Sequence, residues 1–148
     1  MYADYSFYTE TYYGTEIKAA DFPRLASRAS DFLDYYTRGK AAKVTDEDVL
    51  TLLGKACCAI AEAIQTDERN RALQAQSVQT ALAGSGEIKS ESVGSYSVSY
   101  TTSADYKANG AEAERVQRAV YAMLAQYYLA DTNLLYRGSC CQCTPLTP

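Results

Sequence analysis

Histidine is absent from this chain of 148 residues, and so is tryptophan. Without an imidazole, triad-type acyl transfer and imidazole acid–base catalysis are excluded. Lys and Arg number 14 against 18 Asp and Glu, for a net charge of −4, and they form no run. The electrostatic footprint that grips a phosphate backbone is therefore missing. Phosphate-cradling loops are missing too, since neither Gly-x-Gly-x-x-Gly nor the P-loop pattern occurs. No stretch reaches the ~18 apolar residues that a membrane span needs. The start, Met1-Tyr-Ala-Asp-Tyr5, carries neither the basic nor the apolar region of a signal peptide. The expectation is a protein made in the cytoplasm, with no membrane partner.

Five cysteines are present, and their placement points the same way. Cys57 and Cys58 are adjacent within a helical pattern, while Cys140, Cys141 and Cys143 cluster near the end. An odd number in two local groups is not the framework of a secreted disulfide protein. A structural zinc site wants four ligands, usually two pairs, and no second pair accompanies Cys140 and Cys143. Free thiols are expected, with no metal and no cofactor. Asp46, Glu47 and Asp48 stand where a helix begins, so their ordinary role is to stabilise its dipole. No nucleophile, base or phosphate cradle emerges, and the chain does not read as an enzyme.

What the chain has in quantity is tyrosine, 14 residues against 3 Phe. Tyrosine covers a large area with few rotatable bonds and keeps a polar tip, which suits protein contacts. The stretch from Ile88 to Thr102 is the most distinctive. From Tyr96 it alternates strictly, with Tyr96, Val98 and Tyr100 on one face and Ser95, Ser97, Ser99 and Thr101 on the other. That period is a half-buried strand. Its polar face carries hydroxyls rather than the charges that usually guard an edge, so it invites pairing with another chain.

The rest reads as one domain, 1–148, mainly α, with three main helices in a small bundle. Residues 1–20 form a Tyr-rich extended arm with a turn at Gly14. The helical region 21–66 starts near Asp21, with Pro23 in the first turn. Phe22, Leu25, Ala29, Phe32, Leu33 and Tyr36 make its buried stripe, and Gly39 is a natural stop. A second helix follows Thr45-Asp-Glu-Asp48, an imperfect capping box, and buries Val49, Leu53, Ala56, Ile60 and Ala63 or Ile64. It ends near Thr66. Residues 67–87 read less clearly. Asp67–Arg71 could extend the helix, whereas Ser77–Leu82 suits a strand, giving a protruding β-hairpin arm over 77–102 with its tip at Gly84–Gly86. A third helix, 110–131, has Val116, Val120, Met123, Leu124 and Tyr127 as its core stripe. Residues 132–148 form an extended tail.

The segments Tyr12-Tyr-Gly14, Phe22–Thr37, Ala56–Glu62, Lys89–Tyr100 and Leu134–Gly138 occur in an order that resembles the head–tail connector (adaptor) proteins of tailed bacteriophages and prophages. The cysteine-rich end and the stretch 67–87 depart from that pattern. The resemblance implies a small helical protein that forms a ring of about twelve copies under the portal protein. It implies a virion neck location and a neck, stopper or tail protein as second partner. It also implies a channel through which genomic DNA passes without specific binding. The candidate interface residues are Ser90, Glu91, Val93, Gly94, Tyr96, Val98 and Tyr100 in the arm, with Leu134, Leu135, Tyr136 and Arg137 in the tail. Fold-back of the tail is the alternative; a position between two rings favours docking, with Tyr136 and Arg137 as anchors. A tail-completion or tail-terminator protein is the competing structural role, and a soluble enzyme with an unrecognised site the remote one.

Overall fold

The computed structural model describes residues 1–84, 90–93, 96–99 and 103–135, with side chains within 1–76, at 79 and within 112–135. The chain is mainly helical. In order come α1 (Tyr5–Glu10), α2 (Phe22–Tyr36), a 3-10 turn (Ala41–Lys43), α3 (Glu47–Gly84), β1 (Ser90–Val93), β2 (Tyr96–Ser99) and α4 (Ser103–Leu129).

The expected stripe of α2 is the one that packs. Phe22, Leu25, Ala29 and Leu33 are buried, with Phe32 and Tyr36 against the core. Pro23 occupies the first turn. The helix stops where the chain turns left-handed, at Arg38 (φ 56°) and Gly39 (φ 72°), and the Gly39 N–H donates to the Asp34 carbonyl at 2.8 Å. Gly39 is the residue that holds this conformation without a Cβ penalty.

The arm is not extended. Asp4 accepts from the Phe7 N–H at 2.8 Å and starts α1, whose Tyr8 is fully buried. Six residues are too few to show a period, which hid this helix from the sequence. Tyr8 is pinned at its tip. Its hydroxyl donates to Glu62 Oε1 at 2.8 Å and accepts from the Glu16 and Ile17 N–H groups at 3.0 and 3.1 Å. Gly14 lies against the Tyr8 ring so closely that an added Cβ would overlap it.

The second helix is capped by Asp46 rather than Thr45, through bonds from the Asp48 and Val49 N–H groups. It does not end near Thr66. It continues as one α3 of 38 residues through the segment expected to be a strand. Glu68, Arg69, Arg71, Ala72, Leu73, Gln74, Ala75 and Gln76 are strong helix formers, and they outweigh the β-favouring Val78 and Thr80. Its stretch 47–76 is long and apolar enough to cross a membrane by length and composition. However, 56% of its most apolar window is buried inside the protein, as suits a central helix.

The third helix starts at Ser103, not Gly110, which lies within it. Its packed face also differs from expectation. Ala125 and Leu129 are buried and Tyr121, Leu124 and Tyr128 pack on the core, whereas Val116, Val120, Met123 and Tyr127 are exposed. Both sets satisfy a helical period, so spacing alone does not choose between them. Only Leu124 of the predicted stripe reaches the core.

Contacts fix the helix directions. Arg24 and Arg28 meet Glu68 while Ser30 meets Cys57, so α2 and α3 are antiparallel. Phe32 packs on Tyr121 and Tyr36 accepts from Gln126, so α2 and α4 run parallel. Hence α3 and α4 form an antiparallel pair, tied by Gln117 to both Asp67 and Arg71. The expected hairpin over 77–102, turning at Gly84–Gly86, is replaced by helix through Gly84. Instead β1 and β2 pair antiparallel, with Ser90 opposite Ser99 and Val93 opposite Tyr96.

Burial, then the bond to Glu62, pushes the Tyr8 phenol up to about 12 from its ordinary 10.0. The neutral phenol therefore adds stability that is complete below pH about 10 and lost as pH rises toward 12. Alkaline titration should show folded stability declining across that window. Tyr8→Phe should lower stability at neutral pH by about 1–3 kcal/mol, measured by urea unfolding, because the buried Ile17 N–H and the part-buried Glu16 N–H lose their acceptor. An unchanged midpoint would show that the pin is dispensable.

Candidate interaction surface

The two thiols in the helical body offer no chemistry. Cys57 and Cys58 are fully buried on α3. Burial raises both, and Cys58 reaches about 12 with Cys57 and Glu62 adding to the effect. A thiol held there is neither a thiolate nor accessible, so both act as small core residues between α2 and the N-terminal segment. Among the described residues, no three His, Cys, Asp or Glu side chains cluster as metal ligands. Cys140, Cys141 and Cys143 lie outside the described residues.

The polar groups of the body are engaged with one another. Glu68 receives a two-point hydrogen bond from Arg24 at 2.7 and 2.8 Å and a further bond from Arg28. These bonds hold its carboxyl below the usual carboxylate range, the bond from Arg24 contributing most. An open cleft beside this pair is lined by Lys18, Asp21, Gln65 and Arg69. Its central carboxylate and guanidinium already satisfy each other. Tyr12 and Tyr8 both donate to Glu62, and Tyr2 donates to Asp34. Burial and these carboxylates push the Tyr2 and Tyr12 phenols up. Every buried side-chain polar atom among the described residues has a partner. Tyr2, Tyr8 and Tyr12 of the arm are clamps, whereas Tyr13 faces outward.

The candidate interface residues divide into three groups. Ser90, Glu91, Val93, Tyr96 and Val98 fall on the strand pair, where the register sets Glu91 opposite Val98 and Val93 opposite Tyr96. Gly94, Tyr100, Tyr136 and Arg137 lie outside the described residues. Leu134 belongs to the core at 9% exposure and Leu135 packs against it. For these two the fold-back alternative holds, because the Thr132 hydroxyl and N–H both bond the Leu129 carbonyl and turn the chain back onto the body.

A surface that sequence reasoning assigned to the core lies outside it. Val116, Val120, Met123 and Tyr127 project from α4 with exposures of 57, 39, 59 and 79%. The signal was visible as a helix carrying apolar residues on two faces, only one of which the bundle packs. No family model matches this chain, and neither a curated protein nor a solved structure matches it.

Two measurements test this arrangement. Leu134→Ala should lower stability by about 2–4 kcal/mol and the melting temperature by several degrees. An unchanged melting temperature would return Leu134 to the docking surface. In a protein carrying Ser at 140, 141 and 143, a thiol reagent should leave Cys57 and Cys58 unmodified until urea unfolds the chain. Reaction at the rate of a free thiol in buffer would refute their burial.

Proposed function

We propose that this chain is a structural head–tail connector of a tailed bacteriophage or prophage. It assembles as a ring on the portal, extends the DNA channel and joins head to neck or tail. The resemblance of five ordered segments suggests the family. The observation that carries the reading is the strand pair between α3 and α4, which serves as the assembly arm. Neither outer edge of the pair has a strand partner among the described residues. The β2 edge, Tyr96–Ser99, carries no charged residue and suits strand addition by a neighbouring chain. Beyond Glu68, α3 carries exposed side chains from Arg69 to Gln76, so the strands follow a stretch of helix that the body does not bury. The net charge of −4 and the lack of a basic run suit a channel along which DNA slides without being gripped.

Ser97→Lys with Ser99→Lys tests the arm. The doubly substituted protein should keep its helical circular dichroism and melting temperature. It should fail to form rings on purified portal in negative-stain electron micrographs, because edge charges oppose strand pairing. Assembly at the parent's level would remove the arm from the interface. Binding of the parent to tail tubes in place of portals would favour a tail-completion or tail-terminator role.

A further inference from the structure

The outward stripe of α4 has a symmetry of its own. Val116, Val120, Met123 and Tyr127 follow one another at spacings of four, three and four residues. That sequence of spacings is the same read in either direction. Two copies of α4 laid antiparallel about a two-fold axis midway between Val120 and Met123 therefore match residue for residue. Val116 meets Tyr127 of the second copy, and Val120 meets its Met123. Each contact sets a smaller side chain against a larger one, as interdigitating ridges require.

Four further features fit the same occupant. From Ala119 to Ala130 the sequence carries no charged residue on any face of the helix. The small residues Ala113, Ala119 and Ala130 flank the stripe and allow the axes to approach to about 8–10 Å. Tyr127, the most exposed of the four, has its ring edge-on against that of Tyr128 at 5.1 Å. That contact restricts the ring before any partner arrives, which reduces the entropy lost on binding. The antiparallel arrangement also sets Arg115 and Arg118 of one copy across from the uncharged turn at 125–128 of the other. A parallel arrangement would stack like charges on each other.

We infer that, free in solution, the chain forms a two-fold dimer through the outer face of α4. The inference is independent of the connector reading, since it needs only the spacing and exposure of four side chains. The contact is isologous and closes on itself, so it differs from the head-to-tail contact that builds a ring. If the chain is also a ring component, the dimer keeps this apolar stripe covered until assembly.

The full-length chain should sediment at twice its 16.2 kDa mass at concentrations on the order of 100 µM. Met123→Glu should raise the dissociation constant at least a hundredfold while leaving circular dichroism and melting temperature unchanged. Val120→Glu, on the less exposed neighbour, should do the same. Geometry is read by disulfide trapping in the protein with Ser at 140, 141 and 143. A mixture of Val116→Cys and Tyr127→Cys proteins should cross-link, and Val116→Cys alone should not, because its two copies lie about 16 Å apart along the axes. A monomer at every concentration would overturn the inference. So would an undiminished dimer in both Glu variants, or efficient cross-linking of Val116→Cys to itself.

Discussion

A helix touched by neighbours on several sides can carry few bulky residues and no buried unpaired polar atom, and α3 meets both conditions between Leu53 and Ile64. Ala56, Cys57, Cys58, Ala59, Ile60 and Ala61 are six consecutive buried positions. No single stripe of an amphipathic helix would bury six residues in a row. Their small volumes let α2, the N-terminal segment and α4 approach from different directions, and the size of every neighbouring side chain is set by that approach. At Gly54 the fit is close, and an added Cβ would stand 2.6 Å from the Phe7 ring. Cysteine serves here as a residue slightly larger than alanine. Cys57 also meets the Ser30 hydroxyl and the Ala26 carbonyl, each at 3.5 Å, which uses its weak polarity without exposing it.

Just beyond the buried run stands Glu62, half-buried and acceptor to Tyr8 and Tyr12. It is the point at which the first twenty residues are fastened to the body. A six-residue helix has no stability of its own, so α1 exists because the Tyr8 ring is buried and its hydroxyl is fully bonded. The ring stacks on Tyr12 and packs against Phe22 at 4.9 Å, which links the arm to the start of α2 as well. One carboxylate and one phenol thereby convert a segment without periodicity into part of the core.

The sequence was legible where a single stripe meets a single neighbour. The spacing of α2, its Pro23 and its terminal Gly39 were all readable, because that helix buries one face and ends at a residue chosen for left-handed backbone. The candidate site was legible in part. The strand period at 96–99 could be read, but its partner was misplaced, since Ser77–Leu82 resembles a strand only when the helix formers before it are discounted. Leu134 could not be assigned from three apolar residues in a row. Fold-back and docking cover the same surface, and only the turn at Thr132 distinguishes them. The arm failed for want of length, and the packed face of α4 failed because two faces competed.

That last ambiguity follows from the physics of the bundle rather than from noise. A helix that must pack inward and also be covered outward carries both stripes in its sequence, and periodicity alone cannot rank them. The inner face of α4 combines the buried Ala125 and Leu129 with Tyr121, Leu124 and Tyr128 at its margin, while Val116, Val120, Met123 and Tyr127 point away from it. The clamps at Tyr8, Glu62 and Arg24 lie on other elements and share no hydrogen bond with these four residues. Energetically separate sites of this kind respond independently to substitution. The outer stripe of α4 can therefore stay apolar and uncharged while the fold rests on contacts made elsewhere.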